Sequence, residues 1–214
     1  MAYKYKYNTN AFDKIETEED AYWLGFILAD GYVAAEGQQP LLQIKLANRD
    51  KSHLIKFISY MGYETTDVIK DCYGGAYTKD NLCNVVKIKN KQIVNNLHKY
   101  NLNGAKSGKE CPYNFEDDHL TIAYIRGIFD GDGYISQYDK RIGIVGSYET
   151  CSYVKNFIEK KLNTNIPNNI LEHGKIFRIN FTSEENANNV LNLLYNNASI
   201  YLDRKYELYL ARQK

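Results

Sequence analysis

Hydrophobic and polar positions follow two different patterns along this chain. The segments at 23–29 and 125–131 are apolar around almost the whole helical circumference, which predicts two helices buried on every side. The segments at 41–47 and 84–90 alternate with a period of two residues, which predicts strands with one buried and one polar face. On the first of these strands the apolar positions are Ile44 and Leu46, and the polar positions are Gln43 and Lys45.

Both buried helices carry recognisable start and stop signals. The first is predicted to begin at Thr17, because acidic residues follow it in the first turn, and to end at Gly31. The second is predicted to begin near Asp117 or Asp118 and to end at Gly133.

The two helical segments belong to an internal repeat. WLGFILADGYV at 23–33 aligns without gaps with IRGIFDGDGYI at 125–135, and weaker similarity continues downstream. The chain is therefore predicted to be a tandem duplication of a unit of about 100 residues, divided into 1–110 and 111–214. Each unit reads as helix, two strands, helix, two strands, helix, which makes the fold α+β.

Small residues lie four apart on both repeated helices, Gly25 with Ala29 and Gly127 with Gly131, so each helix has a smooth stripe. Interior glycine costs about 1 kcal/mol relative to alanine, and close helix packing would offset that cost. Two helices packed along these stripes would bring Asp30 and Asp132 together at their C-terminal ends.

A pair of carboxylates beside two helix C-termini attracts a hard divalent cation. Side-chain oxygens of Asp30 and Asp132 and the carbonyl oxygens of Ala29 and Gly131 would suit Mg²⁺, in the manner of metal-assisted phosphodiester hydrolysis. For either Asp-Gly alone, an ordinary helix end is the simpler interpretation. Their recurrence in register within a repeated helix favours the functional one.

Composition limits the classes of protein. The 214 residues carry a net charge of +1 and are 44% hydrophobic, and neither a spanning apolar run nor a signal-peptide core is present, so an intracellular location is expected. The four cysteines form no CxxC pair, so they are expected to be reduced thiols. From Lys87 to Lys109 the chain has six lysines and no acid, which predicts either a local positive surface or an ordinary solvated face.

WLGFILADG and IRGIFDGDG resemble the LAGLIDADG motif, and the whole chain resembles a monomeric homing endonuclease with two such motifs. The resemblance implies a tandem pseudo-twofold pair of αββαββα units whose two antiparallel sheets form a saddle over double-stranded DNA. It also implies cleavage of a long asymmetric site with roughly two or three Mg²⁺ ions shared at the helix interface, held by Asp30 and Asp132. Lys89 would be the basic residue near one reaction centre. The implied DNA-binding residues are Gln43, Lys45, Lys87 and Lys89 in the first unit and Arg141, Arg178 and Asn180 in the second.

The chain departs from that pattern in places. Leu28 replaces the acid that Asp130 retains in the second motif, although this position is not the family's metal ligand. By sequence alignment Asn180 takes the place of Lys89, and Val145 that of Lys45, so the second site is expected to be less basic. The alternative to an endonuclease is a binding protein of the same fold that no longer cuts, either an RNA maturase or a DNA-binding regulator. A duplicated structural protein would leave the polar strand faces unexplained.

Overall fold

The computed structural model describes residues 5–73, 82–104, 108–166 and 170–213. The first half runs from helix α1 to helix α3 in the predicted order of one helix, two strands, one helix, two strands and one helix. Its elements are α1 (Glu18–Asp30), β1 (Gly31–Val33), β2 (Leu42–Ala47), α2 (Lys51–Tyr60), β3 (Lys70–Tyr73), β4 (Leu82–Ile88) and α3 (Lys91–His98).

The second half repeats this order and adds one C-terminal helix. Its elements are α4 (Asp118–Asp132), β5 (Gly133–Ile135), β6 (Ile142–Gly146), α5 (Tyr148–Leu162), β7 (Leu171–His173), β8 (Ile176–Phe181), α6 (Glu184–Tyr195) and the added α7 (Asp203–Ala211). Two short 3₁₀ turns, Asn48–Asp50 and Thr66–Val68, lie in the first half.

Each half contributes one antiparallel sheet of four strands. The strand orders are β1-β2-β4-β3 and β5-β6-β8-β7, so the second sheet repeats the first. Burial alternates along β2 as predicted, with Ile44 buried and Lys45 exposed. The α+β fold with two four-stranded antiparallel sheets is therefore confirmed.

The predicted ends of the two repeated helices are confirmed. Thr17 caps α1 in a reciprocal capping box with Asp20, and Asp117 caps α4 by accepting from two amide groups of the first turn. The glycines that follow the helices are extended rather than left-handed, with φ of −87° at both Gly31 and Gly133. Glycine is needed at these positions because a side chain would not fit: a Cβ at Gly31 would lie 2.8 Å from the carbonyl oxygen of Ile27.

Helices α1 and α4 pack against each other along their small-residue stripes, as the sequence predicts. A Cβ at Gly25 would overlap the carbonyl oxygen of Tyr124, and one at Gly127 would overlap that of Tyr22. Backbone thus meets backbone in both directions. Both helices are buried along most of their length, and Trp23 is fully buried. Within the described ranges, no helix is both long and apolar enough to cross a membrane.

Candidate functional site

The C-terminal ends of α1 and α4 lie together. A Cβ at Gly131 would overlap the Cβ of Ala29 and lie 3.5 Å from the amide nitrogen of Asp30. Asp30 and Asp132 are the last residues of their helices, Asp30 exposed and Asp132 half-buried. The two repeated acids therefore lie near each other, beside the C-terminal ends of two helices, where the helix dipoles are negative.

Lys205 on α7 is buried against the C-terminal end of α4. Its side chain is 2% exposed, and its ammonium group donates to the carbonyl oxygens of Phe129 (2.5 Å), Asp130 (2.8 Å) and Gly133 (2.6 Å). These carbonyls lie at the end of α4 and the start of β5, and that of Phe129 also accepts from the amide of Gly133. Lys205 thus fixes the segment that carries Asp132.

The charge of Lys205 also acts on the acids at the helix ends. Burial lowers the pKa of Lys205 to about 8, and the carboxylates of Asp130, Asp30 and Asp132 act in the opposite direction. Lys205 is therefore a positive group within electrostatic reach of both repeated acids. Nothing in the sequence singled it out, because it lies in a charged segment that reads as an exposed helix.

Asp130 is buried and accepts several hydrogen bonds, so it is separate from the pair of repeated acids, Asp30 and Asp132. It is 1% exposed, and its carboxylate accepts from the hydroxyls of Tyr22 (2.8 Å) and Tyr195 (2.5 Å) and from the amide of Leu202 (2.7 Å). Burial raises the pKa of Asp130, against the lowering effect of the Lys205 ammonium group. An acid in the last turn of a largely apolar helix is the sequence signal that could have indicated such a network.

The network continues into the first half through a histidine. The Tyr22 hydroxyl lies 2.9 Å from Nε2 of His53, which is fully buried among Trp23 and Phe26. Burial lowers the pKa of His53 to about 3. This histidine therefore packs within the aromatic core of the first half.

The polar face of the first sheet is basic. Tyr32, Gln43 and Lys87 are cross-strand neighbours in one row, and Lys45, Val85 and Lys70 form the next row. Lys45, Lys70 and Lys87 are exposed, and so is Lys89, which lies just beyond the end of β4. The structure therefore gathers the four predicted first-unit residues on one face. Lys70 also lies on this face, and the sequence pattern did not predict this because its strand is short.

The corresponding face of the second sheet has fewer charges. Gly143 lies opposite Asn180, and Tyr134 donates from its hydroxyl to Oδ1 of Asn180 at 2.9 Å. Arg178 pairs with Val145 and is half-buried, with its Nε buried and without a hydrogen-bond partner in the part of the chain described. The predicted residues Arg178 and Asn180 thus share this face.

Arg141 is placed differently from Arg178. It precedes β6 and forms an ion pair with Asp139, its Nε lying 2.8 Å from the Asp139 carboxylate. Its guanidinium is therefore turned onto its own loop in this structure. An arginine engaged by a neighbouring carboxylate must exchange that partner before it can read a base.

The sequence alignment of Lys89 with Asn180 is wrong. Ile44 and Ile144 are equivalent, because each lies opposite the glycine that follows its repeated helix, Gly31 or Gly133. Ile44 pairs with Val86 in the first sheet, and Ile144 pairs with Ile179 in the second, so Asn180 corresponds to Lys87. The alignment is shifted by two residues. Because side chains in a strand alternate with a period of two, such a shift keeps the same residues on the outward face and does not alter the hydrophobic pattern. The predicted equivalence of Lys45 and Val145 agrees with the same pairing.

The donor set at the helix ends suits a hard cation but is small. Within the described ranges, no group of three or more histidine, cysteine, aspartate or glutamate side chains could hold a metal ion. Two carboxylates and the adjoining helix-end carbonyls nevertheless supply only oxygen donors, which is the chemistry that Mg²⁺ accepts alongside water and phosphate oxygens. The four cysteines are free thiols in the structure.

Solved structures with the same fold include several that were determined with DNA. The chain is similar to full-length DUF199/WhiA from Thermatoga maritima, with a TM-score of 0.58, 14% identity and coverage of 96% of this chain and 64% of that one. It is equally similar to I-SmaMI bound to an uncleaved DNA target in the presence of calcium ions (TM-score 0.58, 11% identity, 93% and 90% covered). The LAGLIDADG homing endonuclease I-GzeII in complex with its DNA target gives a TM-score of 0.57 at 17% identity, with 90% and 88% covered.

Sequence comparison adds one curated relative. The chain is 26% identical over 213 residues to a glutamine–fructose-6-phosphate aminotransferase (isomerizing) of Methanocaldococcus jannaschii, covering 97% of this chain and 18% of that protein. No family model matches the chain. The comparisons therefore establish the fold shared by LAGLIDADG homing endonucleases and the LAGLIDADG domain of WhiA.

Proposed function

We propose that this chain is a sequence-specific double-strand DNA endonuclease. The observation that carries the proposal is the close approach of Gly131 to Ala29 and Asp30, which brings the C-terminal ends of the two helices with the repeated acids together. Asp30 and Asp132 are the proposed catalytic and metal-binding residues. The enzyme would act inside the cell.

The proposal includes a particular arrangement of the halves. Residues 1–110 and 111–214 form a tandem pseudo-twofold pair, and the two sheets form a saddle that lies in the DNA major groove. An α-helix or a two-stranded ribbon fits this groove, and each base pair presents a distinct pattern there. Because one face is basic and the other nearly neutral, a monomer of this chain would prefer a long asymmetric target.

Asp30, Asp132 and the carbonyl oxygens of Ala29 and Gly131 would hold Mg²⁺, in roughly two or three sites. When bound, the metal supplies Lewis-acid activation of the scissile phosphate and of the attacking water. Lys205 fixes the end of α4 through its three carbonyl contacts, so Asp132 is held in place before the DNA arrives. Lys89 would contact the phosphate backbone near the first reaction centre.

A binding protein that does not cut is the second candidate, in the form of an RNA maturase or a DNA-binding regulator. Lys205 favours it, because a buried ammonium group near Asp30 and Asp132 partly balances the two acids without any metal. The same sheet faces would then serve binding alone.

Cleavage of a plasmid library with randomised inserts in Mg²⁺ separates the two candidates. The parent should linearise a subset of plasmids, whereas Asp30→Asn and Asp132→Asn should cut at least a hundredfold more slowly and bind the selected target with unchanged affinity in gel shifts. Glu149→Gln, at an exposed acid of α5, is the matched control and should cut normally. Undiminished cutting by both asparagine variants would refute the metal-site assignment.

A further inference from the structure

A cleft of about 480 Å³ lies at the edge of the polar face of the first sheet. Strand β3 starts at Lys70, opposite Val85, so β4 continues to Ile88 beyond the end of its neighbour. The space beside this part of β4 is lined by the N-terminal segment at 5–7 and by the turn at 66–68. The cleft thus adjoins the basic face described above.

The charge of the cleft favours an anion. Lys70, Lys87 and Lys89 line it, and Asp67 is the one acid among the lining residues that the structure describes. All four side chains belong to exposed residues, so a ligand can reach them from solvent. Three ammonium groups against one carboxylate give a local surplus of positive charge in a chain whose net charge is only +1.

The walls of the cleft favour a planar ring. Tyr7 and Tyr63 lie parallel, with ring centroids 4.8 Å apart and an interplanar angle of 11°, and Tyr5 lines the same space. Val85 and Ile88 are buried apolar residues that complete the lining. A site for a simple inorganic anion would not need aromatic and aliphatic walls. Tyrosine rings next to lysines are the combination that proteins use to hold unpaired bases and their phosphates.

We propose that this cleft binds one unpaired nucleotide, with the base against the tyrosine rings and its phosphate against Lys87 and Lys89. The inference rests on the proposed nucleic-acid function but goes beyond it, because a duplex lying on the sheet faces needs no such site. Unpairing a base costs a few kcal/mol, so the ligand is a nucleotide that is already unpaired, at a strand end or in a loop. DNA and RNA strands share this chemistry.

The test uses single-stranded pentamers that carry 2-aminopurine at the central position, one of DNA and one of RNA. Binding to the parent should change the fluorescence of the reporter base. Tyr63→Leu, which retains an apolar side chain, should weaken binding about tenfold, or ~1.4 kcal/mol. Asp67→Asn should strengthen it several-fold because it removes the one negative charge. Tyr73→Leu, at a tyrosine on β3 that is 72% exposed, is the matched control and should have no effect.

The two single strands identify the source of the nucleotide, since a preference for RNA would indicate contact with the 2′-hydroxyl. Equal affinities of the parent, Tyr63→Leu and Asp67→Asn for both pentamers would overturn the inference, and Asp67→Asn supplies this comparison even if Tyr63→Leu does not fold. Duplex gel shifts and plasmid cleavage are measured on the same samples. If the parent cuts duplex normally but binds neither pentamer, the cleft assignment alone is refuted, whereas pentamer binding by a parent that does not cut would refute the endonuclease alone.

Discussion

Gly127 on α4 lies directly against the carbonyl group of Tyr22 on α1, and no side chain fits between the two helices at this level. A Cβ at residue 127 would also lie 2.7 Å from the amide nitrogen of Phe26. Both obstacles are backbone atoms, which cannot rotate away. The glycine is therefore required by the approach of the helices, against its own unfavourable helix propensity.

Gly127→Ala is expected to lower the free energy of unfolding by about 2 kcal/mol or more, because the strain of separating the helices exceeds the roughly 1 kcal/mol gained in helix propensity. Urea denaturation measures the change. Gly146→Ala is the comparison, since a Cβ there would lie 3.3 Å from the Cβ of Thr150, a contact that a shift of a few tenths of an ångström relieves, and it should cost less than Gly127→Ala. Equal stability of Gly127→Ala and the parent would mean that the helices are farther apart than described.

Acid should destabilise the protein through His53. Its pKa is about 3 in the folded state, below the ordinary value of 6.5, so the folded protein binds fewer protons than the unfolded chain between these values. Stability is therefore retained above about pH 6.5 and lost as the pH falls toward 3, by about 2 kcal/mol between roughly pH 7 and 5.

His53→Gln cannot titrate and should lose about 2 kcal/mol less than the parent over the same roughly pH 7 to 5 interval. Urea unfolding curves at the two pH values give this difference. His119→Gln, at an exposed histidine, should retain the pH dependence of the parent. Identical pH dependence for His53→Gln and the parent would show that protonated His53 is tolerated in the folded state.

Lys205→Met is expected to destabilise the protein by about 3 kcal/mol, because it leaves buried carbonyl groups and the Asp130 carboxylate without their cation. Thermal or urea unfolding measures the loss. Lys140→Met removes an ion pair whose lysine is 61% exposed, so it should cost well under 1 kcal/mol. A similar loss in the free energy of unfolding for the two variants would show that the contacts of Lys205 do not hold α7 against α4.

The basic face of the first sheet should determine how DNA binding responds to salt. Lys45→Ala and Lys87→Ala should each reduce the slope of log K against log salt concentration by roughly one unit for each phosphate that the variant no longer neutralises. Gel shifts over a salt series give the slopes. Lys161→Ala, at a lysine paired with Asp118 on the helical side, should leave the slope unchanged. If none of these variants changes the slope, DNA does not bind to this face of the first sheet.

The sequence was sufficient for those features that depend on local pattern. The caps at Thr17 and Asp117, the alternation along β2 and the convergence of the glycine stripes all follow from residue type and spacing. Each is determined within a turn or a strand, or by the absence of a side chain.

Features set by distant contacts could not be predicted in the same way. The correspondence of Asn180 with Lys87 depends on which strands pair, and a slip of two residues is invisible to a pattern of period two. The site of Lys205 depends on where α7 docks, and a lysine's sequence neighbours do not reveal a buried ammonium group. Lys70 likewise joins the basic face only through its pairing with Val85.

The hydrogen bond from Tyr22 to Asp130 has a consequence for recombination between related genes. The donor comes from one repeat and the acceptor from the other, and the two helices that carry them meet backbone to backbone at Gly25 and Gly127. A half transplanted beside a foreign counterpart would bring a buried carboxylate without the Tyr22 donor, or Tyr22 without its carboxylate. Exchange of halves should therefore succeed only when both partners of this bond, and the glycines that flank it, are inherited together.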